Sequence, residues 1–180
     1  VYKRQPWWRS LRLRLPWLYL NLLTAFLAAS VPAIFESTIA RAAALAAFMT
    51  IISGQGGNAG MQAVTIVTRG MALGEVPKGK GWRILLKEVI LGLLNGILVG
   101  LVVGLAAFLW KGNPWLGLVV FLAMVLNMLN AGVMGAVIPL SLRALGLDPA
   151  LASSIFLTTF TDTLGFLFTL GLASLFMDKL

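Results

Sequence analysis

The sequence predicts an all-α fold: a polytopic membrane helix bundle with five transmembrane helices per subunit, the second span broken by a glycine-rich segment. Three observations lead there. First, 59% of the 180 residues are hydrophobic and 11% are charged, with a mean hydropathy of +0.94; a soluble domain is roughly half apolar and a quarter charged. So large an apolar surplus cannot all be buried inside so short a chain, so the remainder must face lipid. Second, long apolar runs alternate with short loops rich in Gly, Pro and charge. Third, 11 of the 14 Lys and Arg residues fall on one side of the resulting topology. One membrane domain accounts for the length, with no room for a sizeable soluble one.

Residues 1–16 are basic and aromatic, with Lys3, Arg4, Arg9, Arg12 and Arg14 beside Trp7 and Trp8. Trp with Arg at a membrane entrance predicts an interfacial segment that anchors the topology. Residues 17–180 then form the five-helix domain. The first span is expected from about Trp17 to Phe35, near the usual ~20 residues, with Pro32 bending or ending it. The next apolar stretch, about Ile39 to Leu73, is too long for one simple crossing of ~30 Å of hydrocarbon. It is expected as two helical pieces joined by the run GQGGNAG. The loop GEVPKGKGWR follows, then a third span from about Ile84 to Trp110. KGNP makes a turn before the fourth span, about Trp115 to Leu142. RALGLDP leads to the fifth, about Ala150 to Met177.

Five spans place the termini on opposite sides. Lys and Arg accumulate on the cytoplasmic side of membrane proteins. The N-terminus is therefore expected in the cytoplasm and the C-terminus outside, in a cell (inner) membrane. The net charge of +8 sits at the ends of apolar runs, so the expected partners are anionic lipid headgroups and no nucleic acid. No cleavable leader is evident, since the first apolar run is followed by further spans and has no small-residue cleavage site. Val1 is not an initiator methionine; the chain is expected to be a fragment or a processed form.

The sequence has no cysteine and no histidine. That excludes disulfides, thiolate and imidazole chemistry and zinc sites. It leaves hard oxygen donors, which suit Mg²⁺, Ca²⁺ or Mn²⁺. No nucleophile, base and metal set can be assembled, so an enzyme is not expected.

Asp162 is the residue most informative about function. It lies near the middle of the fifth span, where an aspartate costs about 2.5–3.5 kcal/mol on insertion and needs compensation by water, a cation or a basic side chain. Ser154, Thr158, Asp162, Gly165 and Thr169 recur at helical spacing as a polar and small stripe opposite Phe156, Phe160, Leu164 and Leu167. That pattern reads as the wall of a wet ion path. The alternative is an ion pair with Lys87 or Arg69 that locks the bundle, although both lie toward the cytoplasmic ends of their spans. The glycine-rich run would supply free carbonyls at membrane depth, as broken helices do at ion sites, and Asn58 and Gln62 would add amides on one face. Close helix packing is the alternative use of those glycines.

Gly92, Gly96, Gly100 and Gly104 recur every fourth residue of the third span and predict tight helix approach. Asn127 and Asn130 read as interhelical hydrogen bonders, with path lining as the alternative. NAGMQAV from Asn58 and NAGVMGAV from Asn130 are weakly similar; a duplication and chance both explain them.

Taken together, FES, GQGGNAGMQAVTIVTRGMALGEV, the KE opening the third span, NAGVMGAVIPLSLRALGLDPALASS and TTFTD resemble the membrane domain of the MgtE magnesium channel family. The resemblance covers nearly the whole chain after the basic tail. It implies a homodimer of five-helix subunits with one pore on the dimer axis, lined by the second and fifth spans. It implies that Asp162 binds hydrated Mg²⁺, the transported ion. It places the pore segment at Gly56, Gly57 and Asn58, and backbone carbonyl ligands at Thr158 and Ser154. Many members have Asn-Pro where this chain has Ser154-Ile155, so an asparagine ligand is missing. Many members also carry a cytoplasmic sensor that these residues do not contain, so gating through such a sensor is not expected of this segment.

The expected function is passive conduction of hydrated Mg²⁺ into the cytoplasm. The alternatives are a proton- or sodium-coupled transporter in which Asp162 titrates, and a non-transporting scaffold subunit.

Overall fold

The described part of the chain is built of helices joined by short loops. The computed structural model describes residues 6–41, 43–76 and 81–180, apart from the side chains at 41, 150 and 151. Lys3, Arg4, Lys78 and Lys80, and the side chain of Arg41, lie outside the described residues. The helices are α1 (Trp7–Ile34), α2 (Glu36–Arg41), α3 (Ala44–Ala72), α4 (Gly81–Lys111), α5 (Pro114–Ala144) and α6 (Pro149–Leu175), followed by a 3₁₀ turn, Met177–Lys179. Among the described residues there is no strand. Among the described residues, four helices are long and apolar enough to cross a membrane: α1, α4, α5 and α6.

Two expectations about element boundaries change. Residues 7–16, read as an interfacial segment, are helical and run without interruption into the first span, through both Pro16 and Pro32. The break expected in the second span is absent. α3 is one unbroken helix of 29 residues, GQGGNAG included; at ~1.5 Å per residue it is about 43 Å long. Ile39 itself lies in α2, and α3 begins at Ala44. The glycines of α3 remove side-chain bulk and leave the helical hydrogen bonds in place. A Cβ at Gly60 would meet the Leu157 side chain of α6 at 2.7 Å, and one at Gly56 would collide with the amide of Asn127 on α5.

α5 is the central helix and packs against α3, α4 and α6, while α1 packs chiefly against α6. Gly92, Gly96, Gly100 and Gly104 of α4 make the seam with α5, as their spacing predicts. All four are buried. A Cβ at Gly92 would stand 2.7 Å from the Met128 carbonyl oxygen, and one at Gly104 2.8 Å from that of Gly117. The three loops end their helices at Gly74, Gly112 and Gly146, each with φ near +70°, a conformation that glycine adopts without a Cβ penalty.

The core is layered. One apolar cluster joins Leu45, Phe48 and Ile52 of α3 to Leu116, Val119, Val120, Ala123 and Met124 of α5. A second joins Val64 of α3 to Ile138 and Leu142 of α5 and to Ala152 and Leu157 of α6. On each of the three helices the stretch between these clusters carries small and polar groups: Ser53, Gly56, Asn127, Asn130, Thr161, Asp162 and Gly165.

Asn113 fastens the C-terminal end of the chain. It caps α5 by accepting from the Trp115 N–H at 2.9 Å, and its amide donates to the Lys179 and Leu180 carbonyls at 3.0 and 3.1 Å. Asn113→Ala is expected to cost about 1 kcal/mol, the usual worth of a helix cap. The signs would be a lower melting temperature and faster amide exchange around residues 176–180; an unchanged exchange pattern would rule out the fastening role.

Candidate functional site

Asp162 stands at the midpoint of the 27-residue α6. It is half-buried and accepts a hydrogen bond from Ser53 Oγ of α3. Arg69 and Lys87, considered above as ion-pair partners, are exposed on α3 and α4. Beside Asp162 a crevice of about 270 Å³ opens between α1 and α6, with Asn21 and Thr24 on one wall and Thr158 and Thr159 on the other. Among the described residues that line it there is no Lys or Arg.

The hydroxyls in this crevice all direct their protons to their own helices. Thr24 donates to the Asn21 carbonyl at 2.9 Å, Thr158 to the Ser154 carbonyl at 3.0 Å and Thr159 to the Ile155 carbonyl at 2.7 Å. A hydroxyl has one proton and two acceptor lone pairs, so what the three threonines leave for the crevice is acceptor oxygen beside the carboxylate, to which the Asn21 amide adds one carbonyl acceptor and two N–H donors. Such a lining favours a cation or the hydrogens of its water shell. A wider groove of about 660 Å³ shares Asn21 and Thr158 and continues past Ser154 to Trp17 and Arg14.

The stripe read on α6 divides. Ser154, Thr158 and Asp162 line these cavities. Gly165 instead packs against the Asn127 amide. Thr169 is fully buried and donates to the Gly165 carbonyl at 2.7 Å. These two therefore belong to the packed interior. Phe156, Phe160 and Leu167 are exposed, as their position on the apolar side predicts. On α3, Gly56 is buried and Gly57 comes within reach of Thr161, while Asn58 is exposed. Asn58 belongs to an outward stripe with Gln55, Gln62, Thr65 and Arg69, all exposed.

Residues 49–172 match the MgtE family, described as a divalent cation transporter. The chain belongs to the MgtE family. Among similar proteins, the magnesium transporter MgtE of Bacillus subtilis (strain 168) is 34% identical over 93% of this chain and 37% of its own length. The magnesium transporter MgtE of Enterococcus faecalis is 36% identical over 91% of this chain and 36% of its own length. That of Thermus thermophilus is 34% identical over 92% of this chain and 36% of its own length. The chain thus spans a little over a third of the length of the curated relatives it matches.

MgtE membership makes the chain part of a multi-pass membrane transporter family, and the apolar helices agree. Three polar contributors near Asp162 are not visible in the MgtE-like motifs. Ser53 is distant in sequence from the carboxylate it bonds. Asn21 and Thr24 fall in a stretch of α1 read simply as apolar. Their three-residue spacing, which puts both on one helix face, is the signal that could have marked them. Among the described residues no three His, Cys, Asp or Glu side chains gather as a metal cage. The site offers one carboxylate per chain, with neutral oxygens around it.

Proposed function

We propose that this chain forms the conducting membrane domain of a passive Mg²⁺ channel, with Asp162 the charge that holds the ion in transit. The observation that carries this reading is a carboxylate at the midpoint of an apolar helix, opening on a crevice into which three threonines present acceptor oxygens and which has no basic side chain among the described residues. In such a place a transported cation supplies the missing compensation. Mg²⁺ sheds water reluctantly and prefers six ligands in octahedral geometry. Six waters at ~30 Å³ each occupy about 180 Å³, less than the 270 Å³ of the crevice. Outer-sphere contact through retained water therefore suits the space and the single carboxylate.

Five crossings, with α3 as the second, and a homodimer complete the proposal. α3 is as long as its neighbours, but it carries Gln55, Asn58 and Gln62 on an exposed face. Amides turned to hydrocarbon are costly, so that face needs water or a second copy of the chain against it. A pore on a two-fold axis supplies both, with Gly56, Gly57 and Asn58 at or behind its wall and the carbonyls of Thr158 and Ser154 along the route from Asp162. The N-terminus lies in the cytoplasm, and the basic first turns of α1 meet anionic headgroups.

The deciding experiment is Mg²⁺ uptake by the reconstituted chain under an imposed membrane potential. Two charges crossing 100 mV gain about 4.6 kcal/mol, so uptake is expected to rise steeply with an inside-negative potential and to ignore a proton or sodium gradient. Uptake that follows either gradient at zero potential would replace the channel with a coupled transporter.

A further inference from the structure

Two amides on one face of α5 reach the two helices that hold the Ser53–Asp162 pair. Asn127 is fully buried, and its Nδ2 donates to the Ile52 carbonyl of α3 at 2.9 Å. Ile52 is the residue before Ser53. Asn130, one turn further along α5, donates to the Phe160 carbonyl of α6 at 3.3 Å. Phe160 lies two residues before Asp162. α5 therefore holds the backbone on both sides of the hydrogen bond from Ser53 to Asp162.

The Asn127 amide is also confined sterically. It lies between Gly56 of α3 and Gly165 of α6; a Cβ at Gly165 would come within 2.9 Å of Nδ2, and one at Gly56 would overlap it. Its Oδ1 is buried and has no hydrogen-bond partner. An unmet buried oxygen is costly, so stability alone favours an apolar side chain of the same size here. What the amide adds is a directional tie at one particular carbonyl. We infer that Asn127 and Asn130 are positioning residues that set the spacing of Ser53 and Asp162, and so the geometry in which the carboxylate meets a hydrated cation. The inference rests on the proposed reading of Asp162 and deepens it.

The test is a set of full-chain variants, Asn127→Leu, Asn130→Leu and Ser53→Ala, singly and combined, with Asp162→Asn alongside. Each is measured for melting temperature and for Mg²⁺ uptake as a function of Mg²⁺ concentration in liposomes. Asn127→Leu is expected to melt at or above the parent temperature. Its half-saturating Mg²⁺ concentration is expected to rise about 10-fold, the low end of what losing a supporting partner costs a metal site. In the Ser53→Ala background the same substitution is expected to add little, because it acts through Ser53. A purely structural role gives the opposite pattern: a lower melting temperature, parental half-saturation, and effects that add. Should Asn127→Leu not fold, Asn127→Asp keeps the shape, and only its protonated form can donate to the Ile52 carbonyl. Its uptake relative to the parent should then fall as pH rises, and a flat ratio overturns the inference. Normal uptake by Asp162→Asn would remove the ion site itself. Impaired uptake there with parental half-saturation in Asn127→Leu would remove only the positioning role.

Discussion

Asp162→Asn is expected to abolish most Mg²⁺ uptake while leaving the protein folded. The substitution keeps the size and planarity of the side chain and removes one charge. A divalent ion held through its water shell about 5 Å from a carboxylate, at an effective dielectric constant of ~20, gains roughly 7 kcal/mol of attraction before desolvation is counted. Even a third of that, ~2 kcal/mol, is about 30-fold in a rate. Ser53→Ala removes one hydrogen bond to the carboxylate and leaves the charge, so its effect should be several times smaller. The measurement is initial uptake into liposomes at fixed potential, normalised to folded protein.

Folding is expected to respond in the other direction. A carboxylate at membrane depth carries a desolvation cost that an amide does not. Asp162→Asn should therefore melt at or above the parent temperature. A lock that holds the bundle together would instead lose stability with the charge, and a scaffold subunit would lose its assembly. A variant that transports normally, or one that falls apart, would each remove the ion-site reading for a different reason.

The parts of the fold legible in sequence were those fixed by local chemistry. The glycines that end α3, α4 and α5 with positive φ, at Gly74, Gly112 and Gly146, stand in loops marked by Gly, Pro and charge. The four-residue glycine repeat of α4 meets α5 as its spacing predicts. The glycine-rich run in α3 was ambiguous because glycine serves two opposed ends: it frees backbone, and it admits a neighbouring side chain. Only the positions of Leu157 and Asn127 decide between them, and both lie on other helices. The α6 stripe was misread at one end for a related reason. A helical period places Gly165 and Thr169 near the face of Asp162, but it does not say where the cavity stops and α5 begins. Ser53 left no signal at all, since its pairing with Asp162 spans 109 residues and follows from the way α3 lies on α6.

Gly92→Leu and Gly104→Leu are expected to leave little folded protein. In water, burial of apolar surface could hold two imperfectly fitted helices together; in lipid the tails are as apolar as the helices, and association depends on close van der Waals fit and on hydrogen bonds. α4 offers few hydrogen-bonding side chains, so its hold on α5 depends on contact. A Cβ at Gly92 would stand 2.7 Å from the Met128 carbonyl oxygen, and at the other end of the seam a Cβ at Gly104 or at Gly117 would stand 2.8 Å from the other's carbonyl oxygen. These neighbours are backbone, so a leucine cannot be admitted by a change of rotamer and the helices must part. A gap of 0.5–1 Å already forfeits roughly a quarter to a half of each dispersion contact, and the overpacking itself costs about 1–3 kcal/mol per site. Size-exclusion profiles and melting curves in detergent would show the loss. Gly171→Ala is the control: nothing lies within 4 Å of a Cβ there, and alanine is the better helix former by ~1 kcal/mol, so that variant should melt at or slightly above the parent. If Gly92→Leu melted with the parent, the seam would not be the main hold on α4.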